Sequence, residues 1–259
     1  MKFDDLDRKM RIYETAADMC VLPGMFMIAR IDGRSFTRLT KDVCDFEAPF
    51  DEHFRDLMVA TTQSLMTCGF KVLYAYTESD EISLLFGPDE RVFGRKLRKY
   101  NSTLAGEASA QFSVRLGQAA SFDCRISQLP STKLVIDYFR WRNEDAARNA
   151  LNSWCYWTLR KQGFNESEAT DQLLGKSVSQ KNELLYQLGI NFNDIPSWQK
   201  RGVGLYWECY DKKARNPVTG EEVVARRKRI RTNYDLPMKS EYGEFVAVTV
   251  LQPLTEGAT

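Results

Sequence analysis

Apolar and polar positions change period several times along this chain, and each change marks an element. Residues 4–20 are mostly charged, with Leu6, Met10, Ile12 and Met19 spaced as in a short helix packed on the body of the protein. Pro23-Gly24 signals a turn. Met25 to Ile31 is a compact apolar run that predicts a buried strand, which Arg30 interrupts just before Asp32-Gly33-Arg34. From Pro49 to Met66, Phe50, Phe54, Leu57, Met58, Thr61 and Leu65 follow helical spacing, with Pro49 suited to the helix start and Cys68-Gly69 to its close. Val72, Tyr74 and Tyr76 alternate as in a strand, and Ile82 to Phe86 predicts a second strand ended by Gly87-Pro88. A helix is expected from Arg91 to Leu116, with Phe93, Leu97, Tyr100, Leu104, Ala108 and Phe112 on one side. Ser121 to Ile126 supplies a fourth strand.

This order, strand-helix-strand-strand-helix-strand, predicts an α+β fold with a ferredoxin-like core. In that topology the first and third strands lie side by side and antiparallel. The end of the first strand, with Asp32, then meets the start of the third, with Asp80. Past Pro130 the pattern turns helical, over 131–143, 145–161, Glu166 to Leu174 and Gln180 to Leu188. Val203 to Tyr210 and Val223 to Arg231 read as an antiparallel pair joined through Asn216-Pro217-Val218-Thr219-Gly220, and Tyr242 to Leu251 as a last strand. The tail after Pro253 is expected to be disordered. Two units are therefore expected: residues 1–130 as the catalytic core, and 131–259 as a helical extension with a basic hairpin and a final strand packed on it.

Composition narrows the function classes. Six scattered cysteines form no CxxC pair, which argues against a structural zinc site or a redox dithiol. The single histidine, His53, leaves histidine-based triads and zinc sites with nothing to be built from, and its spacing places it on a helix surface. The opening residues are charged rather than apolar and no apolar run approaches the ~18 residues of a membrane span. No membrane association and a cytoplasmic location are expected. The net charge of +1 is uninformative; its distribution is not.

Two carboxylates held together are costly unless a cation neutralises them. Magnesium takes hard oxygen ligands and favours phosphate-bridged sites, and two such ions can activate a hydroxyl and stabilise a leaving pyrophosphate. Asp32 and Asp80 are the candidate ligands, with the Gly33 carbonyl beside them; alternatively, both acids merely cap turns. Glu81 is either a third ligand or solvent-facing, and Glu78 reads as a turn residue. Arg34, Ser35, Phe36 and Lys41 follow Asp32 where triphosphate oxygens would need partners. Arg95 and Lys99, four apart on the expected helix, share a face, with Lys96 one step round. The run Arg226, Arg227, Lys228, Arg229, Arg231, with Lys212, Lys213 and Arg215 across the hairpin and Tyr206, Trp207 and Tyr210 nearby, suits RNA, or else a solubilising sheet edge.

Arg30-Ile31-Asp32-Gly33-Arg34-Ser35-Phe36 and Tyr76-Thr77-Glu78-Ser79-Asp80-Glu81-Ile82-Ser83 together resemble the tRNA(His) guanylyltransferase superfamily. The likeness continues through Phe122-Asp123-Cys124-Arg125, Asp137-Tyr138-Phe139-Arg140-Trp141-Arg142, Lys181-Asn182-Glu183 and Lys200-Arg201-Gly202, over about residues 5–250. The resemblance implies a polymerase-palm core that adds nucleotides in the 3′-to-5′ direction. A tRNA 5′-phosphate is first activated by a nucleoside triphosphate, ATP or GTP, and the 3′-hydroxyl of an incoming nucleotide then attacks it. It further implies that Asp32, Asp80 and the Gly33 carbonyl hold two Mg2+ ions, and that Ser79 contacts the activated end or a phosphate. Arg95, Lys96 and Lys99 would meet triphosphate or the 5′ end, Asn149 and Lys181 the activation and RNA-binding surface, and the assembly would be a homo-tetramer.

Two departures refine the reading. The His-Ile-Asn-Asn signature of the eukaryotic guanylate-adding enzymes is replaced by Ala147-Arg148-Asn149-Ala150. The lysine usual just before the proline of the second helix is replaced in Glu47-Ala48-Pro49, with Lys41 a partial substitute. The first departure resembles the bacterial and archaeal Thg1-like branch. The expected activity is therefore template-directed repair of 5′-truncated tRNA. The alternatives are strict guanylate addition to tRNA(His), a nucleotide cyclase on the same topology, and a non-catalytic RNA-binding module.

Overall fold

The computed structural model describes residues 2–215 and 222–252. Six strands, β1 Phe26–Arg34, β2 Val72–Glu78, β3 Glu81–Phe86, β4 Ser121–Leu129, β5 Val203–Arg215 and β6 Glu222–Asn233, form one sheet in the order β4-β1-β3-β2-β5-β6. Every neighbouring pair is antiparallel. The first four strands have the expected ferredoxin-like order, with β1 against β3. The basic hairpin joins the sheet of the first unit: β5 pairs with β2, so the two halves of the chain share one sheet. The expected link at 216–220 and the tail after Pro253 fall outside the described residues.

The period-two alternation of β1 sorts its side chains onto two cores. Met27, Ala29 and Ile31 pack under α3 (Glu52–Leu65) and α4 (Leu97–Leu116) with Leu57, Met58, Leu104 and Phe112. Phe26 and Ile28 face the other way, against Tyr138 and Phe139 of α5 (Thr132–Lys161) and Tyr242 of α9 (Lys239–Phe245). The far half of α5 makes a third core with α6 (Glu166–Leu173) and α7 (Val178–Gln187), centred on Leu151, Cys155 and Leu185.

Several elements differ from expectation, each for a physical reason. Helix α1 (Phe3–Thr15) forms but buries none of its residues. Helix α3 starts after Pro49: Asp51 caps it, accepting from the Phe54 N–H at 2.9 Å, while its other oxygen accepts from the Glu47 N–H at 2.9 Å. The helix expected from Arg91 begins only at Leu97, because Phe93, Gly94 and Arg95 all take positive φ. The two helices expected over 131–161 are one, α5, of 30 residues. Polar Arg142 and Asn143 look like a break but are both buried, and Asn143 Nδ2 donates to the Arg201 carbonyl at 3.0 Å. Tyr242 to Leu251 is helical, with α9 running into a wide helical turn, Val246–Leu251, rather than a strand. Tyr242, Val246 and Val250 recur every four residues and are buried in the α5-side core, so packing overrides the β-propensity of the valines. His53 is exposed, as expected.

Candidate active site

Register places a row of acids at one end of the sheet. Asp32 lies opposite Asp123 on β4 and opposite Glu81 on β3, and Glu81 lies opposite Glu78 on β2. Directly opposed residues share a face and adjacent strands are about 4.8 Å apart, so four carboxylates stand side by side on the α5 face. Such a row folds only if cations answer it. Arg142 of α5, itself buried, forks onto Glu81 with Nε at 2.7 Å and Nη2 at 2.9 Å, and reaches Glu78 at 3.0 Å and Asp145 at 3.1 Å. Arg30 approaches Glu81 at 3.7 Å, and Arg125 bridges Asp32 at 3.5 Å and Asp123 at 3.4 Å. Burial first, and then neighbouring Glu81, push the Glu78 carboxyl up to about 8 in spite of Arg142.

Asp80 sits on the two-residue turn that joins β2 to β3, behind Ser79, whose φ is 46°. The Gly33 N–H donates to the Asp80 carbonyl at 3.0 Å, locking the end of β1 to this turn. Only glycine fits at 33: a Cβ there would come within 2.5 Å of the Phe36 ring and 2.9 Å of the Asp80 Cβ. Burial raises the Asp80 pKa, with the nearby Asp32 carboxylate a minor addition.

The donor set fits magnesium. Among the described residues no group of three or more His, Cys, Asp and Glu side chains assembles around an ion position. Two carboxylates and backbone oxygen leave room for water and phosphate oxygens, as a hard divalent cation requires, and offer none of the nitrogen or sulfur that zinc selects. Glu81 is not a free third ligand, because both its oxygens are held by Arg142.

Beside the acids opens a cavity of about 370 Å³. Asp32, Glu78, Ser79, Asp80 and Arg142 line one side; Phe50, Phe54, Trp157 and Trp198 form its apolar wall. Phe50 meets the Trp198 ring edge-on, and Arg55 lies 4.6 Å from that ring's centre on the way to Tyr234. Lys41 and Asn149 line the same cavity, Lys41 with Nζ 5.0 Å from the centre of the Trp157 ring and Asn149 donating to Asp145 at 3.4 Å. The Ser79 hydroxyl donates to Asp80 Oδ1 at 3.1 Å. Glu47 also lines the cavity.

Other residues named from sequence lie elsewhere. Arg95 and Lys99 share no helical face, since Arg95 precedes the helix. The Arg95 guanidinium is buried and donates to the carbonyls of Val21, Met25, Pro88 and Glu90, which makes it an internal strut rather than an open phosphate contact. Lys96 pairs with Asp18 at 2.8 Å and Lys99 lies over the Phe93 ring; neither lines the cavity. Phe36 is buried between Phe54, Phe112 and Phe122, so its side chain serves the core. Arg34 and Ser35 are exposed at the end of β1, Ser35 with φ 61°. Lys181 reaches Asn152 at 2.9 Å, outside the cavity. Sequence reasoning gave no role to Arg142, Asp123 or Arg125, although all three lie in quoted motifs; cross-strand register is the signal that finds them.

A ferredoxin-like antiparallel sheet with paired aspartates where β1 meets the β2–β3 turn defines the palm class of catalytic folds. Within that class the sequence is specific. Residues 7–130 match the family model of tRNAHis guanylyltransferase, and residues 133–241 the model of the Thg1 C-terminal domain. The tRNA(His) guanylyltransferase of Debaryomyces hansenii is 33% identical over 204 residues, 74% of this chain and 76% of that protein. A bacterial tRNA(His) guanylyltransferase (Thg1)-like protein solved in complex with GTP is 28% identical with a TM-score of 0.71, and one in complex with ATP is 26% identical with a TM-score of 0.75. Each of these comparisons spans 95% of this chain and 99% of the other. The chain belongs to the tRNA(His) guanylyltransferase family.

Proposed function

We propose that this protein is a magnesium-dependent, template-directed 3′-to-5′ nucleotidyltransferase that restores nucleotides to the 5′ end of truncated tRNA, using ATP or GTP to activate the 5′-phosphate. The observation that carries this reading is the joining of Asp32 and Asp80 at the rim of a cavity whose far wall is aromatic. Asp32, Asp80 and the Gly33 carbonyl would hold two magnesium ions, which when bound neutralise triphosphate charge and acidify an attacking hydroxyl. The wall of Phe50, Trp157 and Trp198 takes a nucleobase and excludes water. Lys41 stands ready for phosphate, and Ser79 offers a hydroxyl to the reacting end. By gripping Glu81 and Glu78, Arg142 keeps two further carboxylates from swinging towards phosphate.

The repair reading over strict guanylate addition rests on the stretch Ala147-Arg148-Asn149-Ala150, which lacks the histidine of the guanylate-adding signature. Strict addition of one guanylate is the second reading, favoured by the names of the curated relatives. Labelled-nucleotide extension of 5′-truncated and intact tRNA(His) separates them. Watson–Crick-complementary extension of the truncated tRNA is expected; a single guanylate added only to intact tRNA(His) would remove the repair reading. Assembly belongs to the same proposal: Phe3, Leu6, Met10 and Tyr13 of α1 are exposed and spaced to share one side of the helix, an apolar face that another copy of the chain covers in a homo-tetramer. Light scattering that returned a monomer at micromolar concentration would dismiss it.

A further inference from the structure

Strand β5 begins at the acid end of the sheet, where Val203 lies opposite Thr77, and runs away from it. It pairs with β2 only as far as Tyr206. From Trp207 to Arg215 its one partner among the described residues is β6. The outer halves of the two strands thus form a free ribbon, nine residues or about 30 Å long at 3.3 Å per residue. Trp207 pins the root of the ribbon by donating from Nε1 to the Val72 carbonyl at 2.9 Å.

Charge on the ribbon is out of proportion to the rest of the molecule. Between Trp207 and Arg215, and between Glu222 and Arg231, eight cations meet three acids, whereas the whole chain carries +1. Glu208 is taken up by Arg229 and Arg231 at 2.6 Å each. Lys212, Lys213, Arg226, Arg227 and Lys228 are all exposed and form no salt bridge among the described residues. Register puts them on both faces: Arg227 and Lys212 on the α5 side with Tyr210, Arg226, Lys228 and Lys213 on the other. Across the ladder like charges meet only on the diagonal, Lys212 beside Arg227 and Lys213 beside Arg226, and Arg226 also faces Asp211; the five exposed cations without a salt bridge among the described residues stand where an anionic partner can reach them. The aromatic residues do not form a stacking platform for single strands, since Trp207 is tied to Val72 and Arg229 covers Tyr210 at 5.1 Å. What the ribbon presents is a phosphate-binding surface on two sides.

Resting on the proposed tRNA substrate, we infer that this ribbon anchors the phosphate backbone of folded RNA at a place remote from the 5′ end being extended. By strand length Arg226 to Lys228 stand roughly 20–26 Å beyond the level of Val203, on the side away from the acids. The ribbon therefore grips the body of the RNA, contributing affinity and selection for a complete tRNA fold rather than chemistry at the end.

The test compares full-length tRNA with a short 5′-phosphorylated acceptor-stem hairpin, binding each without triphosphate to the unaltered chain and to Arg226→Ser/Arg227→Ser/Lys228→Ser. Affinity for tRNA should fall roughly 10- to 100-fold, and the slope of log affinity against log salt should become shallower by about 2–3. Affinity for the hairpin should stay within about twofold, as should GTP binding, which confirms the fold of the variant. Arg226→Lys/Arg227→Lys, which keeps the charge, should bind tRNA within about threefold of the unaltered chain. Equal loss on both RNAs would place the ribbon at the 5′ end, and loss on neither would make it a solvated edge; either result overturns the inference while leaving the nucleotidyltransferase reading intact. If the unaltered chain bound neither RNA, that reading would fail and the ribbon's role with it.

Discussion

The two ends of strand β5 use charge in opposite ways. At the end beside Thr77 one cluster of charges is sunk into the sheet, Arg142 with Glu81, Glu78 and Asp145, while Arg125 meets Asp32 and Asp123 at the open rim. At the ribbon end the charges stand in solvent, and five of the cations form no salt bridge among the described residues. Buried charge is expensive and is held in one geometry, so it fixes positions to fractions of an ångström. Exposed charge is screened over about 8 Å and acts as a field, so it binds a polyanion without dictating its place. Substitutions at the first end should therefore act steeply and singly, and those at the second shallowly and in proportion to number.

The largest effect should come from Arg142→Leu. It strands Glu81, Glu78 and Asp145 without their shared cation, and breaking a buried pair from one side costs about 3–5 kcal/mol. Urea unfolding should show that loss; a change below 1 kcal/mol would mean that the acids find other partners and that the buried end is no more rigid than the ribbon.

An intermediate effect should follow from pH. The Glu78 carboxyl is pushed up to about 8 from an ordinary 4.5, so between those values the folded chain holds a proton that the unfolded chain has lost. This group's contribution is intact at low pH and is withdrawn as pH rises through the window, on the order of a few kcal/mol in all. In metal-free protein, Glu78→Gln should flatten stability against pH between 5 and 8 and raise it at pH 8 and above. A parallel downward slope in the variant would assign the dependence elsewhere.

The smallest effect belongs to the ribbon. Glu208→Gln frees Arg229 and Arg231 from their shared acid, and tRNA affinity should rise about two- to threefold with the melting temperature unchanged. Weaker binding would show that Glu208 orders those arginines for RNA instead of competing with it.

Local pattern made the catalytic end legible and left its supports hidden. Alternation and turn residues sufficed to order the first four strands, and that order alone brings Asp32 to the β2–β3 turn. Arg142 acts on a residue 61 positions away, and nothing in its own neighbourhood announces that. Arg95 is the converse: a cation in a basic run, spent on four backbone carbonyls because the chain kinks before the helix its periodicity predicts. The run Val246-Ala247-Val248-Thr249-Val250 has strand composition but folds as helix, because its i, i+4 valines bury against α5. The pairing of β5 with β2, which makes the ribbon an extension of the catalytic sheet, is a long-range contact with no local sign.

On the proposed function, Asp32 and Asp80 jointly hold the ions that act on a triphosphate. Manganese titration followed by electron paramagnetic resonance, with a non-hydrolysable triphosphate present, reads it directly in the unaltered chain, in Asp32→Asn and in Asp80→Asn. Two ions per chain are expected, with at least one lost in each variant and nucleotidyl transfer down roughly 1000-fold at unchanged tRNA affinity. Two ions retained in both variants, with transfer near its original rate, would remove both aspartates from the metal site.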